Sequence, residues 1–93
     1  MFARVSTIQG KPGQIEEVIH FFEKSAPKGL EDMKGGYVLV NRKTGKLMTL
    51  TLWETEKALQ ASASAADKIL GQAALVAAGA PPTVETYEVA LEL

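Results

Sequence analysis

The chain has 93 residues, 46% hydrophobic and 23% charged, with a formal net charge of −1 and no cysteine. A single domain spanning 1–93 is expected; at this size it buries only about 60–65% of the surface its unfolded chain exposes, and without a disulfide or thiolate metal site the common remaining aid is a partner subunit. A pI of 5.8 offers no basic field for nucleic acid or an anionic membrane. The start Met1-Phe2-Ala3-Arg4-Val5-Ser6 does not read as a leader and no run of about 18 apolar residues occurs, so a cytoplasmic protein is expected.

From Phe2 to Ile8 apolar residues alternate with Arg4 and Ser6, the period of a strand, and Gln9-Gly10-Lys11-Pro12-Gly13 stops it with turn residues. The period then changes. Ile15, Val18, Ile19 and Phe22 fall at i, i+3, i+4 and i+7, which predicts an amphipathic helix to about Ser25, ended by Pro27 and Gly29. Gly35-Gly36 precede a short run, Tyr37 to Val40, and Asn41-Arg42-Lys43-Thr44-Gly45 supplies a hairpin loop into a third strand from Lys46 to about Trp53. In that strand Leu47, Met48, Leu50, Leu52 and Trp53 are separated only by Thr49 and Thr51, so both faces expect burial.

Thr55 is a candidate N-cap with Glu56 in the first turn of a second helical region, which reaches Ala77 with Ser62 and Ser64 as expected points of a break. Gly79 and Pro81-Pro82 end it. A last strand is predicted from Val84 to Leu93, with Tyr87, Val89, Leu91 and Leu93 on one face.

The order βαββαβ predicts an α+β, ferredoxin-like domain: right-handed crossovers put both helices on one face of a four-stranded antiparallel sheet. The other face is left open and mostly apolar over several hundred Å², and its burial would contribute on the order of 10 kcal/mol before association costs. A homodimer joined sheet to sheet is therefore expected.

Few residues carry obvious chemistry. His20 is the sole histidine and sits on the polar side of the first helix, four residues after Glu16, which reads as an exposed ion pair. Arg4 lies among apolar residues on a strand expected to be central. A guanidinium there requires a structural ion pair, with Glu54, Glu85 or Glu88 as candidates, or an anionic ligand. Tyr37 and Tyr87 read first as core residues whose hydroxyls find one partner, and as ligand contacts second. The small-residue stripe Ala63, Ala66, Ala73 and Ala77 either brings the helix close to the sheet or leaves an apolar pocket lined by residues such as Trp53. An RNA-recognition module would need exposed aromatic residues on its central strands, and the third strand has none before Trp53. The turn Gln9 to Gly13 has neither of the glycine spacings that cradle phosphate.

Five segments together resemble one family: Ala3-Arg4-Val5, Lys11-Pro12-Gly13, Thr44-Gly45-Lys46, Leu52-Trp53-Glu54-Thr55-Glu56-Lys57-Ala58-Leu59 and Val84-Glu85-Thr86-Tyr87-Glu88-Val89. Over almost its whole length the chain resembles the antibiotic biosynthesis monooxygenase domain of the dimeric α+β barrel superfamily. The resemblance implies a homodimer with a pocket between sheet and helices in each subunit. It also implies an oxygenation of a small aromatic or quinone-like compound with no cofactor, metal or flavin, in which the substrate carbanion itself reacts with dioxygen. On that basis Trp53 is expected to stack on the ligand, Arg4 to stabilise an anionic oxygen, and Ser6 or Tyr87 to donate a hydrogen bond; no residue carries over as a base. The haem-degrading relatives fit less well, since the positions of their asparagine, tryptophan and histidine fall here on Ser6, Ser62 and Gln72. A non-catalytic dimer that binds a small ligand or serves a structural role is the competing expectation, motivated by the lack of any residue pair with an evident reason for a perturbed pKa.

Overall fold

A computed structural model describes all residues, 1–93. Its elements are β1 (Phe2–Gln9), α1 (Ile15–Gly29), β2 (Gly35–Asn41), β3 (Lys46–Trp53), α2 (Glu56–Ala61), α3 (Ala63–Val76) and β4 (Thr83–Glu88), with a short 3-10 turn at Pro12–Gln14 leading into α1. The four strands form one antiparallel sheet in the order β2-β3-β1-β4. This is the expected ferredoxin-like α+β arrangement.

Period-2 geometry sorts the sheet residues onto two faces. Arg4 pairs with Thr51 and Thr86, Ser6 with Thr49 and Val84, and Ile8 with Leu47, so these residues share one face. It is the helix-covered face, because Ile8 and Leu47 join Val18, Phe22, Leu59, Ile69 and Leu70 in the core. The opposite face presents Val5, Met48, Leu50, Leu52, Tyr37, Leu39 and Tyr87. No helix of the chain crosses that side, and Tyr37, Leu39 and Tyr87 stay 62%, 50% and 50% exposed.

The helices follow from local chemistry with two adjustments. The Thr55 side chain accepts the Ala58 amide and caps α2, and Ser62 ends α2 where α3 begins, as expected. α1, however, continues past Ser25 to Gly29 and carries Pro27 inside it. A proline this close to the helix end removes only the bond to the Glu23 carbonyl, while the Leu30 amide still closes the last turn on Ala26 and buried Leu30 holds that turn to the core.

β4 is shorter than the sequence pattern predicts, ending at Glu88 instead of Leu93. Glu88 pairs with Phe2, and the last bond between the two strands runs from the Val89 amide to the Met1 carbonyl. Gly10 and Gly45 meet where the β1 turn touches the hairpin. Gly45 has φ +80° and a side chain there would run into the Gly10 carbonyl, so this position requires glycine. No helix is long and apolar enough to cross a membrane.

Candidate functional site

The helix-covered face of the sheet is apolar at its ends and polar at its middle. Arg4, Ser6 and Thr49 are its buried polar residues, 5%, 1% and 7% exposed, and Thr51 stands beside them opposite Arg4. Their hydrogen bonds run laterally along the sheet and up to the helices. Ser6 and Thr49 bond hydroxyl to hydroxyl, and the Trp53 indole N–H donates to the Thr51 hydroxyl at 3.0 Å. Arg4 donates from Nη1 to the Ser62 hydroxyl at 3.0 Å and from Nη2 to the Leu59 carbonyl at 2.8 Å. Ser62 in turn donates to that same carbonyl at 2.7 Å, so the junction between α2 and α3 is tied to β1 through one guanidinium.

None of the expected carboxylates neutralises Arg4. Glu54 pairs with Lys34 and Glu85 accepts from Tyr87, while Arg4 takes part in no ion pair. Glu85 shares the open face with Val5 and Glu54 follows the last residue of β3, while Glu88, opposite Phe2, shares the covered face but stays exposed and makes no ion pair. The ring of Trp53 lies 5.6 Å from the guanidinium carbon, within range of a cation–π contact. Burial pulls the guanidinium below its ordinary value, and the field of Asp67 on α3 opposes that shift. The charge therefore sits on neutral acceptors and an aromatic face, with no counterion in contact.

Above this polar strip a cavity of about 340 Å³ opens between the sheet and the two long helices. Its floor is Arg4, Thr49 and Thr51. Phe22 and Leu30 form one wall, Ile69 and Leu70 the other, and Met33 and Val38 close the side toward β2. The space exists because Ala26, Ala66 and Gly36 border it where larger side chains would fill it. The mouth lies between the second half of α1 and the β2 edge, where the lining residues Glu23, Pro27 and Tyr37 are exposed.

The sequence-predicted residues divide. Arg4 lines the cavity directly. Trp53 is 1% exposed and lies behind Arg4 and Thr51, holding both from below instead of offering its ring to the space. Ser6 lies one layer back in the same way, behind Thr49. Tyr87 stands apart from them, on the other side of the sheet, where its hydroxyl donates to Glu85 at 2.6 Å and that bond raises its pKa. His20 is exposed, 3.9 Å from Glu23, and the expected partner Glu16 is taken by Arg42. The small-residue stripe obeys both of its readings at different points. Ala73 and Ala77 are fully buried, with Ala77 close against Gly10, whereas Ala66 borders the cavity and Ala63 is exposed. No cluster of His, Cys, Asp or Glu suited to a metal ion is present.

Thr49 and Thr51 escaped the sequence reading, yet a signal existed. They are the only polar residues of β3 after Lys46, and the pairing of β1 with β3 sets them opposite Arg4 and Ser6.

No family model matches the chain. An uncharacterized protein of Mycobacterium tuberculosis is 30% identical over 94 residues, covering 98% of this chain and 39% of that protein. The chain thus spans about two fifths of the length of the curated relatives it matches. Among solved structures, a monooxygenase from Streptomyces coelicolor in complex with nanaomycin D superposes with a TM-score of 0.77 at 14% identity, over 99% of this chain and 89% of that one. An antibiotic biosynthesis monooxygenase matches with a TM-score of 0.68 at 18% identity, over 98% of this chain and 100% of that one. A mutant of MhuD with two manganese protoporphyrin IX molecules per active site gives 0.70 at 19% identity, over 100% and 98%.

The chain has the antibiotic biosynthesis monooxygenase fold. At these identities the match fixes the architecture, and what the monooxygenase fold holds in this chain rests on its own cavity.

An Arg4→Met variant separates a structural from a ligand-directed role for the guanidinium. Replacing an uncompensated buried charge by an apolar side chain of similar length is often neutral or stabilising, and Ser62 still satisfies the Leu59 carbonyl. Urea unfolding is expected to show a change within about 1 kcal/mol; a loss of about 3 kcal/mol or more would make Arg4 chiefly a structural tie.

Proposed function

We propose that the chain is a cofactor-independent monooxygenase acting on a small aromatic or quinone-like compound held in the cavity above Arg4. The observation that carries the reading is the cavity itself, an apolar space of about 340 Å³ with one guanidinium and two threonine hydroxyls at its floor. That volume suits a compound of two or three fused rings, and its few polar groups converge on one end, as in sites that orient a ligand. The monooxygenases that share the fold support the same type of reaction.

In this reading the ring system lies between Phe22 and Ile69 with its oxygen toward Arg4, while Thr49 and Thr51 complete the hydrogen bonds. Trp53 and Ser6 act as positioning residues, the first beneath Arg4 and Thr51, the second beneath Thr49. An ionised phenol or enol passes an electron to dioxygen, a C–O bond forms at the activated ring carbon, and the resulting hydroperoxide loses water. For a substrate with a ring CH₂, one oxygen atom ends as the new carbonyl and the other leaves in water with the two hydrogens. The protein contributes position, exclusion of water and charge stabilisation by Arg4.

The competing reading is a non-catalytic binding domain. It is favoured by one observation: besides Arg4, the titratable side chain that borders the cavity is Glu23, exposed at the mouth, while the Tyr37 ring belongs to the open face of the sheet, so no base stands at the polar floor. Oxygen uptake with a panel of quinols and anthrones decides between them. Turnover above the autoxidation rate is expected for at least one compound, and a rate equal to autoxidation for all of them leaves the binding domain.

The functional unit is a homodimer in which the open faces of two sheets, each bearing Val5, Leu50, Leu52 and Tyr37, seal one another from water. Sedimentation at micromolar concentration is expected to give twice the 10.0 kDa chain mass, with Leu50→Asp shifting the particle toward the single-chain mass. A wild-type particle of single-chain mass would contradict the dimer.

A further inference from the structure

The chain has three methionines and no cysteine, and its three sulfur atoms occupy different environments. Met1 is terminal and 44% exposed. Met48 is half-buried on the open face of the sheet, opposite Thr7 and Leu39. Met33 alone lines the cavity. It is half-buried in the connection from α1 to β2 and packs against the edge of the core. Two backbone bonds hold that connection in place: the Met33 amide donates to the Leu30 carbonyl at 3.2 Å, and the Lys34 amide donates to the Leu52 carbonyl at 2.8 Å.

Gly36 shows where the sulfur lies. That residue pairs with Thr51, and a Cβ built on it would meet Met33 Sδ at 3.2 Å and the Thr51 methyl at 3.5 Å. The thioether therefore takes the space over a bare stretch of β2 backbone, beside Thr51 at the edge of the polar floor. A polarisable sulfur in that place makes favourable contact with an aromatic ring. It is also the one thioether that a compound inside the cavity can reach, and a thioether accepts an oxygen atom to become a sulfoxide.

We propose that Met33 is an oxidation site addressed through the cavity, where an aromatic hydroperoxide bound beside Thr51 passes its outer oxygen to the sulfur. The sulfur lone pair attacks that oxygen, and the S–O bond forms as the O–O bond breaks. The hydroperoxide proton moves to the inner oxygen, which leaves as an alcohol. The sulfur is oxidised by two electrons and the hydroperoxide is reduced by two. The proposal rests on the cavity being the ligand site. It deepens the oxygenation reading by naming the side chain that meets a ring hydroperoxide which has not yet lost water, and the alcohol that this diversion leaves.

Cumene hydroperoxide is the probe, an aromatic hydroperoxide smaller than the space of about 340 Å³. Hydrogen peroxide is the control, since it reaches each sulfur by exposure alone. Sulfoxide formation at each methionine is followed by peptide mass spectrometry, with Met1 as the internal reference. The ratio of the Met33 rate to the Met1 rate is expected to be at least about tenfold higher with cumene hydroperoxide, because a bound oxidant acts at high effective concentration. The Met33 rate should level off as cumene hydroperoxide is raised, while the Met1 rate stays proportional to it. Cumyl alcohol, the product left in the cavity, should slow oxidation of Met33 without slowing that of Met1. Equal ratios for the two oxidants, a Met33 rate that never saturates, or no protection by cumyl alcohol would each overturn the proposal. The hydroperoxide is supplied ready-made, so absence of oxygen uptake with quinols and anthrones would remove the monooxygenase reading and leave this result to stand or fall by itself.

Discussion

Arg4 carries a full charge onto the covered face of a four-stranded sheet, and the surrounding polar structure follows from that placement. A guanidinium enclosed by protein must keep its hydrogen bonds. The junction of α2 and α3 supplies them through Ser62 and the Leu59 carbonyl, and Trp53 supplies a π face. Ser6, Thr49 and Thr51 continue the polar strip along the two central strands, each hydroxyl bonded to a neighbour. The outcome is a floor in which no buried side-chain nitrogen or oxygen lacks a partner, while the charge itself has no counterion. Satisfied hydrogen bonding with an uncompensated charge is the condition under which an apolar cavity can hold an anion and still fold without it.

The cavity and the open sheet face have a common origin in the layer count. Two helical segments cover one side of the sheet, and they cover it unevenly. α3 is drawn close at Ala73 and Ala77, where the chain packs against Gly10, and it stands away at Ala66, opposite the short side chains of α1 and β2. Space is left where Ala26, Ala66 and Gly36 converge. On the other side the same sheet offers Val5, Leu50, Leu52 and Tyr37 with no third layer. Strand alternation thus separates two surfaces, the cavity floor of Arg4, Thr49 and Thr51 and the open apolar face formed by the residues between them.

Much of the architecture was legible because it is encoded locally. The spacing of Ile15, Val18, Ile19 and Phe22, the Asn41 to Gly45 turn, the Thr55 cap and the break at Ser62 each need only a few neighbouring residues, and all appear in the structure. What the sequence hid depends on distant partners. α1 runs through Pro27 because Leu30 is held in the core, and the extent of β4 follows its pairing with β1, which ends at Phe2 and Glu88. The site was half legible for the same reason. Arg4 stood out as a charge in an apolar strand, but its partners come from residues 55 and 58 positions away. Trp53 and Ser6 were expected to touch the ligand, whereas neither lines the cavity, because their depth beside Arg4 and Thr49 is a property of packing. Tyr87 was read onto the ligand side, and only the pairing of β4 with β1 sets it on the opposite face.

The central claim is that ligands enter the space between the helices and the sheet and end on Arg4. A titration of the isotope-labelled protein with 7-hydroxycoumarin, followed by amide and side-chain N–H resonances, tests it at the level of single residues. The account predicts saturable shifts centred on the Arg4 side chain, the Trp53 indole N–H, and the amides of Thr49, Thr51 and Ile69. Shifts gathered instead on Val5, Leu50 and Tyr87, across the sheet from Arg4, would contradict it.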